Sequence, residues 1–350
     1  MLTTEPFLLN PHWTPSGSVE PRETEEVRRF HESMPDYTVT PLIPLPSVAT
    51  ALDLGAVLLK DESLRLGLPA FKMLGASWAV HRALGSTGRA GRRLVTATDG
   101  NHGRAVARMA KLLGLPATIV VPVGVSERAI ALIRDEGVDV RVVDVPYDEA
   151  VRQAATLAET DPDSLLVQDT SWPGYEDVPR WIVDGYATLF DEAEDQAAKL
   201  GAGIDLVVVP AGVGSLAQAA VLFGDSRPDC RIVAVEPDVA DCLRASLAAG
   251  APTTVPAGET SMAGLNCGTP SYLAWPDLER GLAGAVVVDD AAAADAITDL
   301  KALGVDSGPC GAASLAALRV LATEPARSLL GLSRDSSVML LNTEGSGAAG

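Results

Sequence analysis

Short apolar runs alternate with helix-like segments along most of this chain, and this alternation restricts the fold more than any other feature. Nine runs have the length and composition of buried strands: AVLLK, RLVTAT, ATIVVP, VDVRVVD, LLVQD, LVVVPA, RIVAVEP, GAVVVD and SVMLLNT. Between them, segments such as NHGRAVARMAKLLG repeat their apolar residues at helical spacing. Because continuous apolar strands separated by helices form parallel sheets covered on both faces, the sequence predicts an α/β fold.

The number of predicted strands indicates two sheets rather than one. A single sheet commonly has about four to six strands, whereas nine are predicted here, and the 350 residues suffice for two cores. No repeat or evident linker divides the chain. We therefore expect two interleaved α/β domains with mainly parallel sheets. The first fifty residues are predicted to be irregular, except for a short charged helix within PRETEEVRRFHE.

The charge and the termini of the chain argue against some classes of partner. A formal net charge of −19 disfavours nucleic-acid backbones and anionic membrane surfaces. The first residues lack a basic region followed by an apolar run, and no apolar run approaches the ~18 residues of a membrane span. Four cysteines without CxxC spacing fit a reducing compartment. We expect a soluble cytoplasmic protein, and the sequence leaves open a Cys242–Cys267 disulfide.

Ligands of such folds bind beyond the carboxyl ends of the strands, so polar residues that follow the strands are candidate site residues. These lie at positions 60–63, 98–103, 168–170, 211–215, 236 and 342–345. They include carboxylates, amides, hydroxyls and a glycine turn. The four histidines are scattered along the sequence, so no metal site is predicted.

Lys72 is unusual because apolar residues surround it in GLPAFKMLGA. It could extend to solvent from a first helical turn, as surface lysines do. Alternatively, an apolar pocket could lower its pKa and make the amine a nucleophile. The segment alone leaves both interpretations open.

The segment VVVPAGVGSLAQAA has the pattern of a strand, a Gly-x-Gly turn and a helix start. Backbone amides at such a turn bind anions, and a phosphate is the natural ligand. The segment also fits the dinucleotide pattern, with Glu236 at the end of the next strand as the ribose partner. A nicotinamide-dependent dehydrogenase therefore remains an alternative, as does a glycine turn without a ligand.

Two further corners carry carboxylates and an amide. Asp99 and Asn101 lie in TATDGNHGRAVA, and Asp169 lies in LVQDTSWPGYED. Each could simply cap a helix. Because they accompany a phosphate-type turn and an apolar lysine at the same predicted edge, together they indicate an active site.

These motifs resemble those of fold-type II pyridoxal-phosphate enzymes, the tryptophan-synthase-β-like group. AFKMLGA resembles that group's Schiff-base lysine segment, TDGNHG its asparagine loop and AGVGSL its phosphate loop. The more detailed similarity is to the diaminopropionate ammonia-lyase family. LLKDESLRLGLPAFKMLGASWA, TATDGNHGRAVA, VQDTSWPGYEDVPRWIVDGY, VEPDVADC, MAGLNCG and LLNTEG resemble its segments, in its order. The resemblance extends from about Phe30 to Gly345.

The resemblance implies how the cofactor is held. Lys72 would carry pyridoxal 5′-phosphate as an internal aldimine, and Phe71 would flank the ring. Asn101 would hydrogen-bond the 3-oxygen, and Thr343 would face the pyridine nitrogen as an uncharged partner, which suits β-elimination. The phosphate would be held by Gly212, Val213, Gly214, Ser215 and Leu216. A large cofactor-binding domain of residues 1–88 and 205–350 and a small mobile domain of residues 89–204 are expected.

The implied reaction is α,β-elimination from 2,3-diaminopropionate or a close diamino acid, which gives pyruvate and ammonia. Asp169 and the freed Lys72 are the candidate acid–base pair, and Asp99 is a second acid–base group. Desolvation near the ring is expected to raise the pKa of either aspartate. A homodimer is expected.

The sequence also departs from the family pattern in ways that bear on the substrate. The chain is somewhat short, DSGPCGAASL differs from the usual segment, and Pro69 stands where asparagine is frequent. A dehydratase or β-replacement enzyme acting on serine, threonine or a specialised amino acid is therefore an alternative.

Overall fold

The computed structural model describes residues 5–14, 24–88, 92–98 and 100–348. Within them, strands β1 to β11 are Phe7–Leu9, Leu42–Pro44, Ala56–Asp61, Arg93–Ala97, Ala117–Val121, Asp139–Val142, Ser164–Leu166, Leu206–Pro210, Arg231–Pro237, Leu282–Val288 and Ser337–Asn342. All nine predicted strands are present, as β3 to β11, but β6 is mostly exposed rather than buried because it lies at the edge of the smaller sheet. The prediction missed β1 and β2 in the first fifty residues.

The helices of the described residues largely alternate with these strands. Helices α1 to α14 are Thr24–Glu32, Pro46–Ala51, Lys72–Thr87, Asn101–Leu113, Glu127–Arg134, Tyr147–Thr160, Asp177–Gly185, Ala187–Lys199, Ser215–Gly224, Cys242–Ala249, Trp275–Gly281, Asp290–Ala302, Pro309–Leu321 and Ala326–Leu329, with a 3₁₀ turn at Ala263–Leu265. None of these described helices combines the length and apolar character that crossing a membrane requires.

The strands form two sheets, as the sequence predicted. The larger sheet has the order β1-β10-β9-β8-β11-β3-β2. Its five inner strands are parallel, while β1 and β2 close the two edges in antiparallel pairing. The smaller sheet, β6-β5-β4-β7, is parallel throughout. This confirms the α/β fold with mainly parallel sheets.

The two sheets are interleaved in sequence. Strands of the larger sheet come from residues 7–61 and 206–342, and the smaller sheet comes from residues 93–166 between them. Helices α7 and α8 follow the smaller sheet, yet α7 packs on α3 and α8 packs on α1. The domain limits given above therefore stay a prediction.

Apolar residues on both faces of the larger sheet are buried. Along β11, Val338 and Leu340 face a core shared with α13, while Met339 and Leu341 face a second core shared with α3 and α9. A strand buried on both faces needs apolar residues at every position, which explains the run SVMLL.

The strand order brings the predicted site segments together. Strand β11 lies between β3 and β8, with Asn342 opposite Asp61 and Leu340 opposite Val208. Because these strands are parallel, the segments that follow them meet at one edge of the sheet. Those segments carry Lys72, the 212–216 turn and Thr343.

Helix α3, which begins at Lys72, is held against α7 by two glycines. A Cβ on Gly75 would lie 2.7 Å from Tyr186 Cε1 and 2.9 Å from the Ile182 carbonyl oxygen. A Cβ on Gly185 would lie 2.8 Å from Gly75 Cα. Larger side chains would push the helices apart, so these glycines fix the position of the helix that presents Lys72.

Candidate active site

A cavity of about 690 Å³, counted to its open mouth, lies where the two sheets meet. The larger sheet and its loops contribute Phe71, Lys72, Pro210, Gly212, Val213, Gly214, Ser215, Leu216, Gly264, Leu265, Cys267, Cys310, Thr343 and Glu344. The segments around the smaller sheet contribute Asn101, His102, Tyr147 and Asp169.

Lys72 faces this cavity and pairs with Asp169. Its Nζ donates a hydrogen bond of 2.7 Å to Asp169 Oδ2, and the Asp169 side chain is only 8% exposed. Burial acts to raise the pKa of Asp169, but the charges of His102 and Lys72 and the Lys72 hydrogen bond outweigh it. The pKa of Asp169 is therefore held well below its usual range. The expectation of a raised pKa is wrong for this arrangement, because an ammonium group contacts the carboxylate directly.

His102 adds a buried imidazole next to the same carboxylate. Its Nε2 lies 2.7 Å from the Val167 carbonyl oxygen, which can only accept, so Nε2 carries the hydrogen. Its Nδ1 lies 3.8 Å from Asp169 Oδ2 and has no hydrogen-bond partner among the described residues. Burial lowers the pKa of His102. The Nδ1 edge of the ring thus faces Asp169.

The glycine turn forms the opposite wall. Gly214 has φ of 100° and precedes α9, whose first amides have no partner within the helix. A Cβ on Gly214 would lie 2.6 Å from Leu278 Cδ1, and one on Gly212 would lie 2.9 Å from Cys267 Sγ. Ser215 Oγ donates to the Asp169 carbonyl oxygen at 2.9 Å, which connects the turn to the Lys72–Asp169 pair.

Asn101 and Thr343 lie at the third side of the cavity. Asn101 Nδ2 donates to Glu344 Oε2 at 2.7 Å, and Glu344 Oε1 accepts from the Cys310 amide at 3.1 Å. Thr343 is 4% exposed, and its hydroxyl has no hydrogen-bond partner among the described residues. A buried hydroxyl without a partner is costly, so this oxygen is available to a bound group.

The structure brings together the site residues that the sequence predicted, with one gap. Those lining the cavity are Phe71, Lys72, Asn101, Asp169, Gly212, Val213, Gly214, Ser215, Leu216 and Thr343. Asp99 lies outside the described residues. The individual roles of these residues remain predictions.

Sequence reasoning did not single out several cavity residues. His102 and Glu344 directly follow Asn101 and Thr343, so the rule of polar residues after a strand already indicated both. No comparable sequence pattern indicates Tyr147, which begins α6. Only the fold brings its hydroxyl oxygen to within 3.1 Å of Gln168 Nε2.

Two other segments at the carboxyl ends of strands, around positions 60–63 and 236, have structural contacts instead of lining the cavity. Lys60 and Glu62 lie in a buried charge cluster with Arg65 and Glu192. Glu236 accepts the amides of Leu243 and Arg244 at the start of α10, and burial raises its pKa to about 8.

Neither a metal cluster nor a disulfide is found among the described residues. No three His, Cys, Asp or Glu side chains there are grouped to hold an ion. Cys230, Cys242, Cys267 and Cys310 are all unbridged.

Comparison with known proteins identifies the family. The model of the family described as "Pyridoxal-phosphate dependent enzyme" matches residues 34–343. The chain belongs to this family. Within it, the chain belongs with the diaminopropionate ammonia-lyases, because the enzyme of Salmonella typhimurium is 36% identical, over 91% of this chain and 88% of the relative.

Solved structures agree with this assignment. The diaminopropionate ammonia-lyase of Escherichia coli in complex with D-serine superposes with a TM-score of 0.89 at 32% identity, covering 97% of this chain and 94% of that one. The same enzyme with an aminoacrylate-PLP azomethine reaction intermediate gives a TM-score of 0.88, with the same identity and coverage. The predicted fold type and cofactor class are confirmed.

The cavity fits pyridoxal phosphate. The 212–216 turn offers helix-start amides to a phosphate, Lys72 offers an amine, and the Thr343 hydroxyl lacks a partner. The crowding at Gly212 and Gly214 explains why this wall carries no side chain at those two positions.

Proposed function

We propose that this protein is a pyridoxal-phosphate-dependent ammonia-lyase that eliminates the β-amine of 2,3-diaminopropionate or a close diamino acid. With one water, the products are pyruvate and two molecules of ammonia. The observation that carries the proposal is the Lys72–Asp169 pair, 2.7 Å apart, across from a phosphate-type turn. The similarity to diaminopropionate ammonia-lyases over nearly the whole chain supports the substrate.

In this proposal the bound cofactor supplies an aldehyde and an electron-withdrawing ring. Residues 212–216 hold its phosphate, Phe71 flanks the ring, and Asn101 and Thr343 bind its polar ring atoms. Lys72 Nζ removes the α-proton of the substrate. Because an amine leaves poorly unless it is protonated, that proton passes through Asp169 Oδ2 to the leaving β-amine.

His102 and Asp99 have supporting places in this scheme. His102 Nδ1 faces Asp169 Oδ2 and, when the ring is neutral, can accept a hydrogen bond from protonated Asp169. Asp99 is proposed as a second acid–base group on the substrate.

A substrate panel tests the proposal. Pyruvate and ammonia release would be measured with 2,3-diaminopropionate and serine, and 2-oxobutyrate release with threonine, using the cofactor-loaded enzyme and Lys72→Ala as control. We expect the highest kcat/KM on 2,3-diaminopropionate and no turnover by the control. A higher kcat/KM on serine or threonine would overturn the substrate, and normal turnover by Lys72→Ala would overturn the mechanism.

The alternative on the same cofactor is elimination from a hydroxy amino acid. The D-serine bound to the related Escherichia coli enzyme favours including both enantiomers of serine in the panel. A higher kcat/KM on either enantiomer of serine than on 2,3-diaminopropionate would identify this alternative.

The assembly and location are proposed on more general grounds. We propose a homodimer, since two-fold pairing is the commonest oligomer, and a cytoplasmic location, since the four cysteines are unbridged. Residues 1–88 with 205–350, and residues 89–204, are proposed as the large and the small mobile domain. Analytical ultracentrifugation, which gives the mass in solution, would test the proposed homodimer.

A further inference from the structure

Glu344 is a buried acid of the cavity that the proposed mechanism does not use. It follows β11 next to Thr343, and only 2% of it is exposed. Its Oε2 accepts from Asn101 Nδ2 at 2.7 Å and its Oε1 from the Cys310 amide at 3.1 Å. Asn101 begins α4 on the smaller sheet, so this hydrogen bond joins the two sheets across the cavity.

The surrounding backbone is shaped to hold this carboxylate. A Cβ on Gly308 would lie 2.7 Å from Glu344 Oε1, and one on Gly311 would lie 3.1 Å from the Glu344 carbonyl oxygen and overlap Asn342 Oδ1. The Gly308 amide also donates to the Glu344 carbonyl oxygen at 2.9 Å. The two glycines of the unusual segment DSGPCGAASL are therefore required where Glu344 packs.

The carboxylate is costly to bury in these surroundings. Among the described residues, no lysine or arginine forms an ion pair with it, and burial raises its pKa against the opposing effects of the Cys310 and Asn101 hydrogen bonds and the charge of Lys72. An acid kept in a cavity under such conditions indicates a function rather than a contribution to stability.

We infer that Glu344 is a positioning residue for the cofactor ring and acts through Asn101. Both carboxyl oxygens of Glu344 accept hydrogen bonds, Oε1 from the Cys310 amide and Oε2 from Asn101, so the carboxyl group fixes the Asn101 amide with Nδ2 toward Glu344. The orientation of that amide then decides which of its atoms meet the ring. The inference depends on the proposed role of Asn101 toward the 3-oxygen of pyridoxal phosphate.

Glu344→Gln tests this role because it keeps the size of the side chain but changes its polarity. The Cys310 amide still requires an acceptor, so the new side-chain amide would present its NH₂ group to Asn101. The Asn101 amide must then turn its oxygen toward that group. We expect the apparent Kd for pyridoxal phosphate to rise about ten- to a hundredfold and the visible absorption band of the bound cofactor to shift.

A matched control is Glu136→Gln. Glu136 is also buried and also contacts α4, through Arg104 and Arg108, but it lies outside the cavity. This control should leave the cofactor Kd and the absorption band unchanged. A purely structural role for Glu344 predicts similar effects in both variants, which would overturn the inference.

The double variant Glu344→Gln/Asn101→Asp separates positioning from stability. It restores a hydrogen bond between the two side chains with donor and acceptor exchanged. We expect the unfolding midpoint to recover while the absorption band stays shifted. If the visible absorption band also returned to its parent position, the proposed positioning role of Glu344 would be contradicted. If Glu344→Gln does not fold, Glu344→Asp replaces it, and a parent-like Kd and band in that variant would overturn the inference.

Hydride trapping distinguishes failure of this inference from failure of the proposed function. Borohydride reduction of the parent enzyme followed by peptide mass spectrometry should give a cofactor adduct on Lys72. Without that adduct the proposed function fails and the inference fails with it. With the adduct present, a Kd and band within twofold of the parent in Glu344→Gln would refute the Glu344 role alone.

Discussion

Replacing Glu192 in the buried charge cluster tests how the loop before Lys72 is held. Glu192 Oε2 accepts from Lys60 Nζ at 2.7 Å and from Arg65 Nη2 at 2.8 Å, and all three side chains are fully buried. Together with Glu62, which pairs with Arg65, the cluster carries two positive and two negative charges. Arg65 lies in the loop between β3 and Lys72, so the cluster anchors that loop to α8.

Glu192→Gln would leave one uncompensated positive charge in the protein interior. Removing one partner of a buried ion pair costs about 3–5 kcal/mol, mostly because the remaining charge stays desolvated. We expect a loss of this size in the free energy of unfolding. The matched control is Glu194→Gln. Glu194 lies on α8 like Glu192, but it is half-exposed where it pairs with Arg227. Exposed pairs contribute about 0–1 kcal/mol.

Urea unfolding of the cofactor-free protein would measure both losses. Far-UV circular dichroism and tryptophan fluorescence together check that a single transition is followed. The shift in midpoint multiplied by the slope gives the loss in free energy. If Glu192→Gln loses no more than Glu194→Gln, the argument from buried charge is wrong.

A second variant examines the cause of that loss. Adding Lys60→Met to Glu192→Gln removes a positive charge, so the remaining Arg65 and Glu62 balance each other. We expect the double variant to recover about 1–3 kcal/mol relative to the sum of the single changes. Strict additivity of the two losses would show that lost contacts, and not the uncompensated charge, caused them.

Three further predictions concern pH, the phosphate turn and the acid–base pair. Burial lowers the pKa of His31 to about 3, so below pH 6.5 only the unfolded chain takes up its proton, and stability should fall by about 1.4 kcal/mol per pH unit from this residue. His31→Gln should flatten the slope of unfolding free energy between pH 6.5 and 5, and an unchanged slope would refute the assignment. Gly214→Ala should raise the Kd for pyridoxal phosphate at least tenfold in a cofactor titration, because a left-handed residue other than glycine costs about 1–2 kcal/mol and its Cβ would overlap Leu278. Gly304→Ala, at φ of 80° in open space, is its control and should change stability without changing the Kd. Asp169→Asn should lower kcat for pyruvate release by about 10²–10⁴, and full activity would exclude Asp169 from proton transfer.

Strands buried on both faces, such as β8 and β11, were predictable because their apolar character is continuous. The edge strands β6 and β7 of the smaller sheet were also predicted, although β6 is mostly exposed and β7 half-buried. Each run from AVLLK to SVMLLNT became a strand, whereas Phe7–Leu9 and Leu42–Pro44 were missed. These two strands have three residues each, too few to show a period. They are defined by their antiparallel pairing with β10 and β3, and the β10 partner lies far along the chain.

The site was predictable to the level of segments but not of side-chain direction. Residues after β3 at positions 60–63 were candidates by the same rule as Asn101 and Thr343. Lys60 and Glu62 are two apart, so an extended chain turns both to the same side, and that side holds Arg65 and Glu192. Whether these two side chains face the cavity or the charge cluster depends on the position of α8, and the residues around β3 do not predict that position.

The two interleaved sheets contribute different residues to the cavity. Lys72, the 212–216 turn and Thr343 follow strands of the larger sheet, while Asp169 and His102 follow strands of the smaller one. In the proposed mechanism, most residues that hold the cofactor follow strands of the larger sheet, whereas the acid–base pair takes Lys72 from the larger sheet and Asp169 from the smaller one. A shift between the sheets would move Asp169 relative to Lys72, and it would also stretch the hydrogen bond from Ser215 Oγ in the turn to the Asp169 carbonyl oxygen. The proposed mechanism therefore requires the two sheets to keep one relative position, in which Lys72, Asp169 and the 212–216 turn contact the same cavity.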